Sequence, residues 1–507
     1  MNKQATVLLI IDGFGESTKK DGNAIINASK PNIDKLTKQS PYAILKASGV
    51  DVGLPEGTIG NSEAGYTNIG AGKVVEQNIT KINQSIETGD FFSIEEFSKA
   101  IENCKKNNSK LHLMGLLSDG GIHSHERHLY ALLELAKRKG LDEVYVHCFM
   151  DGRDSLPASG ENYIQKLEEK MHEKDLGKIA TIIGRYYSMD RNNNWDRIKK
   201  AYDAIVFGKG KHESSAIQAI EGSYQKEVFD EFVEPIVISN GSKPISTIDD
   251  GDSIIFFNFR ADRARELSEA FTNPKFNKFE TKKMKLNFIS MTNYDNIINS
   301  KVAFKTHLMN NTLGEVISNK GLKQARISEF EKSCNTTLFF DGKLDKPLKN
   351  LDITITKSEN LENKDIGILN ITSKAIETIE SREYDFILVD IDNLDILGHT
   401  GNIDLTEKAV ETLDECIGKI LDVIQKNGDI LIITSDHGNI EEMIDYKTGE
   451  QLTSNTINQV PIFLFGIDKA KLKDGRLCDV APTILDVMNI KKPEEMKGQS
   501  LLIRGHG

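Results

Sequence analysis

Three short runs of branched apolar residues, each ending in acid, constrain this chain more than anything else in it. "TVLLIIDGFG" (6–15) ends on Asp12, and "YDFILVDIDNLDILGHTG" (384–401) delivers Asp390, Asp392, Asp395 and His399. "GDILIITSDHGN" (428–439) delivers Asp436 and His437. Short, continuous Ile/Leu/Val runs without polar alternation fit strands buried on both faces, the pattern of parallel sheets. Helical periodicity lies between and after them, as in "LTEKAVETLDECIGKILDVIQKNG" (405–428) with its closing Gly. Alternating strands and helices imply an open α/β sheet. Ligands of such sheets sit beyond the carboxyl ends of the strands, where these acids fall.

A single Asp after a strand is as readily a helix cap as a ligand. Three strands with acid at the same end, two of them followed by His, favour a divalent metal site, because converging carboxylates repel unless cations neutralise them. Asp395 and His399 are four residues apart, so one helical turn puts them on one face. Asp436 and His437 are adjacent, point different ways, and could serve two ions. The glycine-rich stretch "GNSEAGYTNIGAGK" (60–73) contains Ser62, which could be a turn residue, a cap or a nucleophile. It does not match the G-x-S-x-G elbow, and "GAGK" is followed by Val, so it is not a P-loop. A metal site supplies the missing activator. Ser62 therefore reads as a metal-activated nucleophile directed at phosphorus.

The first acidic strand is separated from the other two by more than 300 residues. Residues 77–309 carry their own strand–helix rhythm, which predicts a second α/β domain inserted into the first. The outer domain then comprises 1–76 and 310–507, with hinges expected at "NQSIETGD" (83–90) and in the polar stretch before "TLGEVISNKG". Strands of the insert end in Arg153, Arg185, Arg191, Arg260, Arg263 and Arg265. Alone, each arginine is a surface charge or ion-pair partner. Clustered in an acidic protein they imply an anion pocket, since the guanidinium fork suits phosphate and carboxylate. Asp151 and Asp154 share the "DGRD" loop with Arg153, which supports an acid/base role beside that pocket. His123 follows glycines in a loop that could approach phosphate. His125 and His128 read as helix-start residues, and Tyr186 and Trp195 as packing.

The net charge of −12 argues against a nucleic-acid-binding surface. Five cysteines, odd in number and never in a C-x-x-C pair, suit reduced thiols in a cytosol. The first apolar run is five residues long and ends at Asp12, so no signal peptide is expected. No stretch approaches the ~20 apolar residues of a membrane span. A soluble cytoplasmic protein is expected.

The motifs "IIDGFG", "GLPEGTIGNSEAGYTNIGAG", "SDGGIHSHERHL", "DGRD", "GRYYSMDR", "FFNFRADRAR", "EFEK", "DILGHTG" and "SDHGN" occur in this order. Together they resemble the cofactor-independent (2,3-bisphosphoglycerate-independent) phosphoglycerate mutases of the alkaline phosphatase superfamily. The resemblance runs nearly the full length, through "DVAPTILDVM" and "MKGQSLL". It implies an alkaline-phosphatase-like parallel-sheet domain with an inserted substrate-binding domain, and interconversion of 3- and 2-phosphoglycerate through a phosphoserine. It also implies two divalent metals, manganese in many members, with no 2,3-bisphosphoglycerate required; a monomer is expected. Carried over, Ser62 is the nucleophile; Asp12, Ser62, Asp436 and His437 match one metal's ligands, and Asp395 and His399 the other's. His123, Arg153, Asp154, Arg185, Arg191, Arg260 and Arg263 match the substrate-binding set. Lys332 of "EFEK" matches the lysine that steadies the phosphoryl group. The chain departs from the family at Tyr66, Asn335 and Asn455, where histidines are usual; Asn455 stands at a third ligand position of the Asp395–His399 metal. The stretch 351–370 also lacks the family's usual Pro- and Tyr-containing segment.

Overall fold

A computed structural model of the chain describes residues 4–305, 309–342 and 347–504. Two compact units divide the chain: Met1–Gln77 with Leu308–Gly507, and Asn78–His307.

The first unit is built on an eight-stranded sheet. From one edge to the other its strands are Leu351–Thr356, Gln324–Glu329, Phe386–Ile391, Thr6–Ile11, Ile430–Thr434, Val460–Phe465, Tyr42–Lys46 and Gly475–Arg476. The first five run parallel. Val460–Phe465 runs antiparallel to both of its neighbours, so the sheet is parallel-dominated rather than wholly parallel. The apolar runs are continuous because both faces of the sheet are covered. Val7, Leu9 and Ile11 enter one core and Leu8 and Ile10 the other, and Ile387, Val389 and Ile391 alternate with Phe386 and Leu388 in the same way. The helix Ile403–Asn427 seals one face and ends at Gly428, whose φ of 71° is the left-handed value a helix C-terminus favours in glycine.

The second unit carries a nine-stranded sheet whose main path runs Lys301–Val302, Asn287–Ser290, Ser253–Phe256, Leu111–Leu117, Val144–Met150, Lys178–Gly184, Ile236–Asn240 and Lys211–Glu213. It too is mostly parallel, and Ile236–Asn240 turns antiparallel to Lys178–Gly184. Cores lie on both faces here as well. The expected hinge at 83–90 is not a break in secondary structure. Residues Asn78–Thr88 form a helix, because Ile79, Ile82 and Ile86 fall on one face and pack into the core. The stretch 351–370 supplies the edge strand Leu351–Thr356 and the start of the helix Lys364–Glu380. Among the described residues, no helix is long and apolar enough to cross a membrane.

Candidate active site

Register brings the three acidic strand ends together. Ile10 pairs with Asp390 on one side and Thr434 on the other, so Asp12, Asp392 and Asp436 leave the sheet at one level. Ser62 opens the helix Ser62–Ala71, which Asn61 caps by accepting from the Ala64 N–H. That end of a helix favours negative charge on an attached group. The glycines of this segment have a packing reason. A Cβ at Gly65 would lie 2.6 Å from the Asp436 carbonyl oxygen, and one at Gly70 would lie 1.9 Å from that of Phe340. Only glycine lets this helix sit so close to the 436–437 turn.

Ser62 Oγ stands 3.4 Å from each Asp12 oxygen and 3.1 Å from His437 Nε2. His437 Nε2 in turn lies 3.1 Å from Asp12 and 3.4 Å from Asp436. Asp12, Asp436 and His437, all buried, each offer one ligand atom within 4.8 Å of the others. Asp436 and His437 thus share one cluster instead of pointing to separate ions, because the turn after Thr434 folds both side chains toward Asp12. Asp395, on the helix Asn393–Gly398, lies 3.3 Å from His399 Nε2. Asn439 donates to Asp395 at 2.7 Å, and His399 Nδ1 meets the Thr453 carbonyl at 2.7 Å. Lys332 Nζ bridges Asp12 at 2.6 Å and Asp395 at 2.5 Å.

The electrostatics of this cluster call for cations. Burial pushes Asp436 well above the carboxylate range, and the neighbouring Asp12 charge adds to it. Burial opposes a proton on His437, yet the Asp436, Asp395 and Asp12 carboxylates raise it to about 10. Burial likewise opposes charge on Lys332, and Asp12 and Asp395 outweigh it. Asp436 Oδ2 is buried without a hydrogen-bond partner among the described residues. Hard oxygen donors with imidazole suit divalent metals such as manganese or zinc, so the donor set fits the implied group.

The second unit gathers the arginines. Arg185, almost fully buried, contacts Asp151 at 2.5 Å and Asp154 at 2.8 Å. Asp151 also accepts from Ser118 and from the backbone of Arg153 and Asp154, so it organises the loop rather than moving protons. Burial raises Asp154 above its ordinary value, although Arg185 opposes this. Arg191 and Arg260 both reach Asp262, at 3.1 Å each, and His123 Nδ1 is 3.7 Å from it. Burial, then Arg260, hold His123 neutral, at about 2. Arg153 faces Glu231 at 3.5 Å, and Arg263 donates to the Met189 carbonyl. Arg265 stands apart, starting the helix Arg265–Thr272 and pairing weakly with Asp295. His125 caps the helix Glu126–Arg138, and His128 is buried on Asn83. Trp195 packs on Phe276, and Tyr186 on Phe232.

Residues 82–296 match the family model described as BPG-independent PGAM N-terminus, and residues 291–459 match Type I phosphodiesterase / nucleotide pyrophosphatase. A protein of Acetivibrio thermocellus named 2,3-bisphosphoglycerate-independent phosphoglycerate mutase is 48% identical over 511 residues, 99% of this chain and 100% of its own. The chain belongs to that family. A Clostridium tetani mutase of the same name is also 48% identical, spanning 99% of both chains. The solved Leishmania mexicana phosphoglycerate mutase, studied at low cobalt concentration, superposes with a TM-score of 0.82 at 29% identity, covering 99% of this chain and 98% of that one.

Against the mutase pattern, the three departures have visible roles. The buried Tyr66 donates to Asp390 at 2.6 Å, tying the Ser62 helix to the adjacent strand. Asn335 approaches Asp12 at 3.4 Å. Asn455 turns its amide nitrogen to the Gly60 carbonyl at 2.9 Å, with its oxygen 3.4 Å from Asn439. Sequence reasoning passed over Asn439 and Asp262. Both carried a signal: Asp262 stands between Arg260 and Arg263 in "FRADRAR", and Asn439 closes the motif "SDHGN".

Proposed function

We propose that this isomerase interconverts 3-phosphoglycerate and 2-phosphoglycerate through a phosphoserine at Ser62. The observation that carries the reading is Ser62 Oγ at a helix N-terminus, 3.1 Å from His437 and 3.4 Å from Asp12. Asp12, Ser62, Asp436 and His437 would hold one divalent ion, and Asp395 and His399, with Asn455, a second. Manganese is the proposed metal. Bound there, the cations acidify the serine hydroxyl and neutralise phosphoryl oxygens, and no 2,3-bisphosphoglycerate is needed.

Arg153, Arg185, Arg191, Arg260, Arg263 and His123 hold the glycerate. Ser62 would react as its alkoxide, its proton released to solvent: the Oγ–P bond forms as the glycerate O–P bond breaks, and Asp154 gives its proton to the departing glycerate oxygen. Its raised pKa supports that acid role. Glycerate then presents its other hydroxyl; Asp154 takes that proton back, the oxygen attacks phosphorus, and the Oγ–P bond breaks. Lys332 neutralises charge on the transferring phosphoryl group, the main catalytic demand of such reactions. Water must be excluded meanwhile, or phosphoserine hydrolyses and the enzyme becomes a phosphatase. The reading extends to a cytoplasmic monomer, and the five free thiols support the cytoplasmic location.

The test is an enolase-coupled assay on 3-phosphoglycerate without 2,3-bisphosphoglycerate, with and without manganese. Activity should require the metal, and Ser62→Ala should abolish it while circular dichroism stays unchanged. Retained activity in that variant, or a phosphopeptide that excludes Ser62, would overturn the assignment.

A further inference from the structure

Arg326 is the largest fully buried side chain among the described residues, and it is a charged one. It stands on the strand Gln324–Glu329 of the first unit. Its guanidinium fork meets the buried Asp341 carboxylate with both arms, Nη1 to Oδ2 at 2.6 Å and Nη2 to Oδ1 at 2.8 Å. Nη1 also donates to the Thr336 carbonyl at 2.6 Å, and Nη2 to Gln324 Oε1 at 3.3 Å. The guanidinium carbon lies 5.0 Å from the centre of the Phe340 ring. A Cβ at Gly314 would lie 2.5 Å from Nη2, so the helix Leu313–Asn319 closes the group in as well. Replacing a buried ion pair by apolar residues is often neutral or better for stability, so stability alone does not account for this pair.

The segment between its contacts does. Residues Asn335–Phe339 form a π-turn, a rare form met mostly at functional sites. The Phe340 amide donates to the Asn335 carbonyl and the Asp341 amide to that of Thr337. The Thr336 carbonyl between them accepts from Arg326. One fork therefore grips the turn near its start, through Thr336, and just past its end, through Asp341. The turn begins at the catalytic cluster. The Asn335 amide donates to the Lys332 carbonyl at 2.9 Å, and Lys332 Nζ bridges Asp12 and Asp395. Asn335 itself approaches Asp12 at 3.4 Å.

We propose that Arg326, held by Asp341, is a positioning residue for phosphoryl transfer: it fixes the 335–339 turn and so keeps Lys332 in place between Asp12 and Asp395. The inference rests on the phosphoglycerate mutase reading. Lysine at 326 would keep the charge and a contact to Asp341, but a single ammonium lacks the planar fork that spans Asp341 and Thr336 together.

The experiment is a double-mutant cycle in the enolase-coupled assay, on full-length, manganese-loaded enzyme. It compares the unsubstituted chain, Arg326→Lys, Lys332→Gln and the two changes combined. Arg326→Lys should lower kcat by about 10- to 100-fold, the scale of a displacement of up to about 1 Å at a group acting on the reacting atoms. KM should stay within about twofold, because the arginines that hold glycerate belong to the other unit. In the Lys332→Gln background the same change should lower kcat by less than about threefold, since the group it positions is gone. An equal loss in both backgrounds would make Arg326 merely structural and overturn the inference, as would an unchanged kcat or a loss confined to KM. If circular dichroism shows Arg326→Lys unfolded, Asp341→Asn, which keeps the volume and one acceptor oxygen, goes through the same cycle and is decided by the same outcomes. An unsubstituted enzyme that fails to convert 3-phosphoglycerate would overturn the mutase reading itself, whereas an additive cycle in an active enzyme overturns only the role of Arg326.

Discussion

Gly65→Ala should cripple the enzyme through one methyl group. Gly65 lies three residues after Ser62 on the same helix, and its φ is not left-handed, so local preference alone favours alanine there by about 1 kcal/mol. Packing opposes this. The new Cβ would sit 2.6 Å from the Asp436 carbonyl oxygen and 2.7 Å from the Asp436 Cβ, where ordinary contact begins at 3.4 Å. The helix must therefore withdraw by about 0.8 Å, because the opposing atoms are backbone at the end of a buried strand. Overpacking of this kind costs about 1–3 kcal/mol, so the net loss of stability is small, roughly 0–2 kcal/mol. The catalytic loss is larger. Ser62 moves with its helix, and a displacement near 1 Å at a reacting atom lowers turnover by about 100-fold. The coupled assay should show kcat falling with KM nearly unchanged, because the arginine pocket belongs to the other unit. A variant that melts higher and keeps kcat within about threefold would refute the claim that this contact positions the nucleophile.

Acid should destabilise the second unit in a definite window. Burial, then His125 and Arg127, hold His128 neutral, down to about 3 from an ordinary 6.5. Below pH 6.5 the unfolded chain takes a proton that the folded one refuses, so stability is lost as pH falls from 6.5 toward 3. At pH 5 this group alone costs about 2 kcal/mol, and His128→Gln should flatten the melting temperature across pH 6.5–5. Asn455→His should tighten metal at the Asp395–His399 site and shift its preference from manganese toward softer ions, since an amide oxygen is the harder and weaker donor. Titration of metal-free protein with manganese, before and after the change, reads this; two equally tight sites in the native chain, unaltered by substitution, would count against it.

The sequence alone determined the sheet and the chemistry at its ends. Continuous Ile/Leu/Val runs have only one economical fate, burial on both faces, and Asp12, Asp395, Asp436 and His437 follow at the ends of such runs. The arginine-bearing loops of the insert were legible for the same reason. Tertiary structure decided what spacing cannot encode. The antiparallel course of Val460–Phe465 depends on which neighbours a short apolar strand finds, not on its composition. The packing of the Ser62 helix on the 436–437 turn joins residues more than 370 positions apart, and so does the contact between Ser62 and His437. Lys332 meets Asp12 across 320 residues, and Asp262 meets His123 and Arg191 from a separate loop. Periodicity reports the partner face of a residue, but long-range pairing of charges is set by register and by how closely backbones can approach. At Gly65 and Gly70 that approach leaves no room for even one carbon atom.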